Sequence, residues 1–365
     1  MPARFDADPR VVMTLDAGGT SFRFSAVQGN RRIVEPVVTA SDGDDLPKCL
    51  ANIVSGFEAV RAKLTEPPVA ISFAFPGPAD YPAGIIGDLH NLRAFRGGVA
   101  LGPMLEDYFG IRVYINNDGD LFTYGEAIAG MLPWVNGLLE ESGSAKRYRN
   151  LFGITLGTGL GGGLVIDSRL VIGDNSIAGE AWLLRNRLDP SINAEEGACI
   201  RAVQRSYAEL TGITFGEAPE PKDLFAIATG AAAGNSVAAR EAFRRLGVVA
   251  GDAIAQALTL VDGLAVIGGG ISAAHSLFLE DLVGAVNGCY EGNGKRRRLL
   301  ARAFNLEDPE GRAGFLRPSA KQVNVPGSDR KVPYDAEPRT GIGLSRLGTS
   351  EAIAVGAYAF ALDRL

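Results

Sequence analysis

VVMTLDAGGTSFRFSAV, residues 11–27, is the part of the sequence most informative about the fold, because a glycine turn in it separates two apolar segments. The apolar runs predict a buried strand at 11–15 and a second strand at 22–27. Between them, residues 16–20 combine an aspartate, two glycines and a threonine. Glycine lets backbone N–H groups approach an anion closely, so this turn can hold phosphate oxygens while its aspartate holds Mg2+ through water.

The same layout returns further along the chain. An apolar strand at 151–156 leads into a glycine-rich turn at 157–163 and then into the apolar residues 164–166. Residues 157–162 match Gly-x-Gly-x-x-Gly, but that dinucleotide fingerprint opens a helix, whereas these glycines lead into a strand. A single glycine hairpin is most often only a tight turn. Two of them, roughly 140 residues apart, indicate a degenerate duplication.

A third polar element lies where a predicted strand at 112–116 meets a predicted helix at 121–130. Asp118 stands at this junction, where it can cap the helix. It can also act as a general base that takes the proton of a substrate hydroxyl, as phosphoryl transfer requires. A triple glycine, 268–270, ends another predicted strand.

Composition limits the class of protein. The chain has 365 residues, enough for about two domains, and its net charge is −6. With 46% hydrophobic and 21% charged residues it resembles a globular chain, not a disordered one. The acidic balance argues against a dedicated nucleic-acid binder. Its 47 glycines have no three-residue period, which excludes collagen.

Three widely spaced cysteines provide neither a disulfide framework nor a CxxC zinc pattern. The polar start shows no signal peptide, and no apolar run reaches the length of a membrane span. We therefore expect a cytoplasmic protein. The remaining pattern predicts helices at 46–64, 194–262 and 351–365, a strand at 69–76, loops at 79–98 and 140–150, and a mostly irregular excursion at about 291–340.

Several segments, taken in order, resemble the ROK family (repressor, open reading frame, kinase) of the actin-like ATPase superfamily. The segments are 15–27, 75–80 with 90–97, 115–127, 154–167, 178–180 and 265–272. The resemblance implies an α/β fold with two ribonuclease-H-like domains around a central cleft. The smaller domain would comprise 1–118 plus 350–365, and the larger one 119–349.

The resemblance also implies an ATP-dependent kinase that transfers the γ-phosphate to a hexose hydroxyl, O6 of a glucose-like sugar, with Asp118 as catalytic base. Asp16 would hold Mg2+ through water. The residues expected at the nucleotide are Asp16, Gly18, Gly19, Thr20, Gly157, Thr158, Gly159, Gly268, Gly269 and Gly270. Those expected at the sugar are Gly77, Asn91, Asn117, Asp118 and Glu180.

The chain departs from the family pattern in two places. The histidine of the GExGH sugar motif falls at Leu183, and residues 191–199 replace the CxCGxxGCxE zinc segment, so we expect no zinc site. The glutamate that follows those cysteines aligns poorly. Two alternatives fit: Arg201 occupies its position, or Glu195 or Glu196 serves at the sugar instead.

Two other functions fit the same family. One is a sugar- and nucleotide-binding pseudokinase, which the altered motifs suggest. The other is a sugar-sensing regulator, which would carry an added N-terminal helix-turn-helix; a first strand at residue 11 leaves no room for one. The expected partners are ATP, Mg2+ and a hexose, with a second copy of the chain in a homodimer and with neither nucleic acid nor membrane.

Overall fold

The computed structural model describes residues 4–18, 20–89, 92–292, 296–317 and 320–365. Two predicted site residues, Gly19 and Asn91, lie outside the described residues. The strands are β1 (Val11–Ala17), β2 (Ser21–Gln28), β3 (Arg31–Arg32), β4 (Val37–Ala40), β5 (Pro68–Ala74), β6 (Ala79–Asp80), β7 (Ile85–Ile86), β8 (Arg112–Asn116), β9 (Leu151–Leu156), β10 (Leu160–Ile166), β11 (Arg169–Val171), β12 (Leu264–Gly268), β13 (Arg302–Asn305), β14 (Ala320–Asn324), β15 (Lys331–Asp335) and β16 (Arg339–Leu344).

The helices alternate with these strands, as in an α/β protein. They are α1 (Leu46–Arg61), α2 (Leu101–Phe109), α3 (Asp118–Ile128), α4 (Met131–Glu141), α5 (Ile200–Thr211), α6 (Pro221–Thr229), α7 (Ser236–Val261), α8 (Leu279–Val286), α9 (Pro309–Leu316) and α10 (Thr349–Leu362). Short 3-10 helices are Ala181–Leu183, Glu195–Gly197, Phe215–Glu217 and Gly270–Leu277. Within the described ranges, no helix has both the length and the hydropathy needed to cross a bilayer.

The chain divides into two compact units. The first unit comprises Met1–Pro133, Gly163–Gly179 and Ser345–Leu365, and the second unit comprises Trp134–Gly162 and Glu180–Leu344. The domain bounds expected from the sequence stay a prediction.

The sheet of the first unit is buried on both faces. Its order is β3-β2-β1-β5-β8, with β4 also paired to β2. β1 pairs antiparallel with β2 and parallel with β5, and β5 pairs parallel with β8. Along β1, alternate side chains enter opposite cores: Met13 packs in the cluster that contains Phe57 of α1, and Val12 packs in the cluster that contains Tyr358 of α10. Apolar burial on both faces explains why β1 is almost wholly apolar.

A second six-stranded sheet repeats this order. β9 lies between β10 and β12, and the series continues through β16 to β13. The pairings of β12 with β9, β12 with β16 and β13 with β16 are all parallel. In both units a glycine hairpin therefore supplies two neighbouring strands, and parallel strands extend the sheet from the first of them. This repeated order supports the duplication inferred from the two turns.

Three expectations need correction. The second glycine turn covers only 157–159, because the strand resumes at Leu160 and Gly161–Gly163 lie inside β10. Helix α4 extends to Glu141, so the charged loop predicted at 140–150 begins at Ser142. The excursion at 291–340 is not mostly irregular, since β13, α9 and the β14–β15 hairpin lie within it. Its short polar strands lack the apolar alternation that sequence patterns detect.

Helices α3 and α10 make the closest approach in the first unit. A Cβ added at Gly125 would lie 1.9 Å from the carbonyl oxygen of Ala352, and one added at Gly356 would lie 1.9 Å from that of Leu121. The two contacts run in opposite order along the two helices, so the helices are antiparallel. Glycine at both positions lets backbone meet backbone, and any side chain there would force the helices apart.

We expect Gly125→Ala to lower the free energy of unfolding by more than about 2 kcal/mol, because the new methyl group overlaps a backbone oxygen that cannot rotate away. Chemical denaturation of the purified chain measures this change. Gly137→Ala is the matched control, since a Cβ there meets no atom within 4 Å and alanine favours a helix by up to about 1 kcal/mol. Equal stability of the two variants would contradict the proposed role of the contact.

Candidate functional site

The first glycine turn, at residues 18–20, is a tight connection between β1 and β2. The Gly18 N–H group donates to the carbonyl oxygen of Ser21 at 3.1 Å. A Cβ on Gly18 would lie 2.9 Å from the same oxygen, so a larger residue would open the turn. Thr20 is exposed, and its carbonyl oxygen accepts the Ser41 N–H group at 3.2 Å. The turn thus keeps its threonine accessible to a ligand.

Asp16 lies near the carboxyl end of β1 and is partly buried. The Ser350 hydroxyl, in the first turn of α10, donates to its Oδ2 at 3.0 Å. Sequence reasoning missed Ser350. Its only signal was a pair of hydroxyl residues that follow Gly348 at the start of the last helix.

Asn117 and Asp118 stand at the start of α3, directly after β8. Asn117 is the N-cap, and its side-chain oxygen accepts the Gly119 N–H group at 2.8 Å. The capping role considered for Asp118 therefore belongs to its neighbour. Asp118 is the first helical residue, and its Oδ1 also accepts the Gly119 N–H group, at 2.9 Å. With the cap supplied by Asn117, Asp118 is available for another role.

Three influences act on the Asp118 carboxyl group. The largest, the crowding of protein atoms around it, raises its pKa above the ordinary value of 3.8. Backbone hydrogen bonds, from Gly119 first, act in the opposite direction, and the nearby negative charge of Asp16 raises the pKa further. The residue still has an exposed surface, so a substrate can reach it. An accessible carboxylate with a raised pKa is a stronger base than an ordinary aspartate.

The loop after β5 is tied to the end of β8. The Phe75 N–H group donates to the carbonyl oxygen of Asn116 at 3.0 Å, and the Tyr81 hydroxyl donates to the carbonyl oxygen of Phe75 at 2.9 Å. Gly77 lies beside this tyrosine, since a Cβ there would be 3.2 Å from the hydroxyl oxygen. The predicted sugar residues Gly77 and Asn117 therefore follow two strand ends that are hydrogen bonded to each other.

Glu126, on α3, connects that helix to the residues that lead into α10. Its buried carboxylate accepts the Ser345 hydroxyl at 2.6 Å and the backbone N–H groups of Met131, Arg346 and Leu347 at 2.8 to 3.2 Å. Hydrogen bonds from these donors offset the free-energy cost of burying the carboxylate charge. Sequence reasoning missed Glu126, because the donors are backbone groups that no sequence motif encodes.

The glycines of the second unit differ in how much space surrounds them. Gly269 has a φ of +85°, and a Cβ there would lie 2.3 Å from the carbonyl oxygen of Leu156, so the protein itself requires glycine. A Cβ on Gly157 or Gly270 would meet no protein atom within 4 Å. Gly268 is the buried last residue of β12. The open space beside Gly157 and Gly270 fits a ligand that needs close access to the backbone.

Glu180 precedes the 3-10 helix Ala181–Leu183. The indole N–H group of Trp182 donates to its Oε2. Leu183, at the position of the family histidine, is 59% exposed. The indole therefore orients the Glu180 carboxylate and leaves its other oxygen for a ligand.

Glu195 and Glu196 form an ion-pair cluster with two arginines of α5. Arg201 donates to Glu195 at 3.0 Å and to Glu196 at 3.5 Å, and Arg205 pairs with Glu196 at 2.8 Å. The hydrogen bond from Arg205 lowers the pKa of Glu196. A second oxygen of Glu195 accepts the Leu160 N–H group at 3.0 Å. The cluster thus lies directly against the second glycine turn.

The oxygen donors Asp16 and Asp118 are suited to a hard cation such as Mg2+. The two carboxylates repel each other, so the charge of Asp16 raises the pKa of Asp118. A bound cation would relieve this repulsion. Within the described ranges, no group of three or more His, Cys, Asp or Glu side chains is placed to hold a metal ion.

Comparison with known proteins gives consistent results. The sequence model of the ROK family matches residues 12–314. A glucokinase from Parabacteroides distasonis, known from its crystal structure, is 53% identical, with 99% of each chain covered and a TM-score of 0.90. An N-acetyl-D-glucosamine kinase from Vibrio cholerae is 28% identical over 183 residues, which are 50% of this chain and 55% of that protein. The matched part of this chain thus spans about half the length of that relative.

A more distant structure shows the same fold. The ROK family glucokinase from Streptomyces griseus, crystallised with glucose and AMPPNP, is 19% identical, covers 96% of this chain and 98% of its own, and has a TM-score of 0.61. This likeness confirms the α/β fold class that the sequence predicts.

We expect Glu126→Gln to lower the free energy of unfolding by at least about 2 kcal/mol. The amide loses the charge, and its NH2 group must face backbone donors that the carboxylate accepted. Thermal and urea unfolding measure the loss. Glu141→Gln, at the exposed end of α4, is the control and should change stability by less than about 0.5 kcal/mol. A similar small effect at Glu126 would show that the carboxylate is not needed there.

Proposed function

Because the chain belongs to the ROK family, we propose that it is an ATP-dependent sugar kinase that transfers the γ-phosphate of ATP to a hexose hydroxyl. The observation that carries this proposal is Asp118, an accessible carboxylate with a raised pKa at the start of α3 and close to Asp16. The similarity to the Parabacteroides distasonis glucokinase over nearly the whole chain supports it.

Asp118 is the general base in this proposal. The hydroxyl oxygen of the sugar, O6 of a glucose-like hexose, forms a bond to the γ-phosphorus as its proton passes to Asp118. The bond from the γ-phosphorus to the β,γ-bridging oxygen breaks, and ADP leaves with that electron pair. Asn117 binds sugar hydroxyls through its amide NH2 group, since its oxygen is held by the Gly119 N–H group.

We assign the other sugar contacts by the family pattern. Gly77 follows β5, and Glu180 offers the carboxylate that Trp182 orients. Asn91 is assigned by the family pattern alone. Glu195 and Glu196 are further proposed contacts, because a carboxylate has more acceptor sites than their arginine partners occupy.

ATP binds through the glycine turns of the proposed site. Gly18, Gly19 and Thr20 contact its phosphates in the first unit, and Gly157, Thr158 and Gly159 do so in the second unit. Gly268, Gly269 and Gly270 lie against the adenosine. Asp16 would hold Mg2+ through water, and the bound ion would neutralise negative charge on the phosphates.

Three further features stay predictions of the sequence: the homodimer, the cytoplasmic location and the lack of a zinc site. The identity of the sugar is a separate matter, since the relatives include both glucokinases and N-acetyl-D-glucosamine kinases.

Gly270→Val tests the nucleotide assignment. Its side chain enters space where no protein atom lies within 4 Å of a Cβ, so the variant should fold normally. We expect the KM for ATP to rise about tenfold or more, since the added groups occupy the space assigned to adenosine, and the KM for the sugar to stay within about twofold. An unchanged KM for ATP would remove Gly270 from the nucleotide site.

Asp118→Asn tests the base. Sugar-dependent ADP release, measured with Mg-ATP and a panel of hexoses, should fall by about 100-fold or more. In the wild-type protein, kcat/KM should rise with pH as Asp118 loses its proton, through a pKa above the ordinary 3.8, and this rise should vanish in the variant. Turnover near the wild-type rate would disprove the assignment.

Asp107→Asn, an exposed substitution on α2, is the control and should leave turnover unchanged. The wild-type protein itself tests the wider proposal. Nucleotide binding without ADP release on every hexose would contradict the kinase and would favour the sugar- and nucleotide-binding pseudokinase.

A further inference from the structure

The turn at Gly157–Gly159 has every carbonyl oxygen held by a neighbour. The Gly157 oxygen accepts the N–H group of Ile200, the first residue of α5, at 2.9 Å. The Thr158 oxygen accepts Nη1 of Arg201 at 2.9 Å. The Gly159 oxygen accepts the Gly157 N–H group at 3.0 Å and so closes the turn. Two of these three bonds come from the first two residues of one helix.

These bonds fix the direction of the peptide N–H groups as well. The one cis peptide bond in the described ranges is Gly77–Pro78, so the peptides of this turn are trans. In a trans peptide, the C=O and the following N–H point in opposite directions. Because the oxygens of Gly157 and Thr158 face α5, the N–H groups of Thr158 and Gly159 are turned away from it. Two successive N–H groups presented together form a concave site for an anion.

Arg201 is itself held in place. Its Nη2 donates to Oε1 of Glu195 at 3.0 Å and lies 3.5 Å from Oε1 of Glu196. The guanidinium therefore joins a carbonyl of the turn to two carboxylates of the 3-10 helix Glu195–Gly197. A planar group with donors in a fixed fork suits such a bridge, and a flexible ammonium group does not.

Glu195 also contacts the turn from the other side. Its Oε2 accepts the Leu160 N–H group at 3.0 Å, and a Cβ added at Gly159 would lie 2.5 Å from that oxygen. Glycine at 159 therefore makes room for the carboxylate that anchors Arg201. Turn, carboxylate and guanidinium form one connected network within the second unit.

We propose that Arg201, anchored by Glu195, is a positioning residue that presets the Gly157–Gly159 turn so that the N–H groups of Thr158 and Gly159 face the phosphates of the nucleotide. This inference rests on the proposed function, because it takes ATP to be the ligand of the turn. It assigns Arg201 to phosphate binding. The sequence comparison had instead made Arg201 a candidate for the position of the family's sugar-site glutamate.

The test compares nucleotide binding with sugar use. Arg201→Gln removes the charge and the fork, so the Thr158 carbonyl oxygen loses its charged donor and the turn should bind phosphate less well. We expect the Kd for Mg-ADP, measured by titration calorimetry without sugar, to rise about tenfold. The KM for ATP should rise in parallel. The KM for the sugar should rise less, because only the loss of an ion-pair partner at Glu195 and Glu196 would affect it. Arg201→Lys keeps the charge and can make one of the bonds, so we expect a rise of about threefold.

Arg245→Gln is the matched control, because Arg245 also bridges two glutamates of the second unit, Glu209 and Glu241, but lies on α7. It should leave the Kd for Mg-ADP within about twofold of the wild type. Thermal unfolding reports whether each variant is folded. If Arg201→Gln does not fold, Arg201→Lys provides the test with the same readouts.

Two results would overturn the inference while wild-type protein still binds Mg-ADP. One is a folded Arg201 variant with wild-type affinity for Mg-ADP. The other is a rise in the KM for the sugar with no change in Mg-ADP binding, which would place Arg201 at the sugar. Failure of the wild-type protein to bind Mg-ADP would instead refute the proposed function, and this inference with it. The variants and the wild type therefore separate the two failures.

Discussion

The first unit depends on a contact in which two helix backbones touch. Gly125 of α3 and Gly356 of α10 each lie where a Cβ would be 1.9 Å from a carbonyl oxygen of the other helix. Close packing at this contact brings α10, the last element of the chain, against a helix that begins more than 200 residues earlier. No other residue type fits at these two positions without separating the helices.

The contact between α3 and α10 holds the first residues of both helices in place, and these residues belong to the candidate site. α3 begins at Asp118, so its placement on the sheet places the proposed base. α10 begins near Ser350, whose hydroxyl binds Asp16. Glu126 strengthens the same arrangement, because its carboxylate accepts the backbone N–H groups that lead into α10, where the positive end of the helix dipole favours a negative charge. Helix α10 thus supports the candidate site, to which Asp16 of β1 also belongs.

The two glycine turns are held in place by different contacts. In each six-stranded sheet, a glycine turn joins two neighbouring strands. The first hairpin is supported by the short bond from Gly18 to Ser21. The second is supported from outside, by the first residues of α5 and by the network of Glu195 and Arg201. A duplicated strand order therefore does not require duplicated support, since the residues that brace a turn come from distant parts of the chain.

The sequence alone predicts the strand, turn, strand pattern around Asp16, the α/β class, the family, and the position of Asp118 between a strand and a helix. These follow from local apolar patterns and from short motifs, which a single chain displays directly. It missed the strands within 291–340 and extended the second turn over glycines that belong to β10, since glycine marks a turn and a closely packed strand equally well. Only the tertiary structure decided that Asn117 is the cap, that Ser350 and Glu126 support the site, and that Arg201 binds the turn. Those roles depend on contacts between residues far apart in sequence, and their partners are mostly backbone groups, which every residue carries and no motif can reveal.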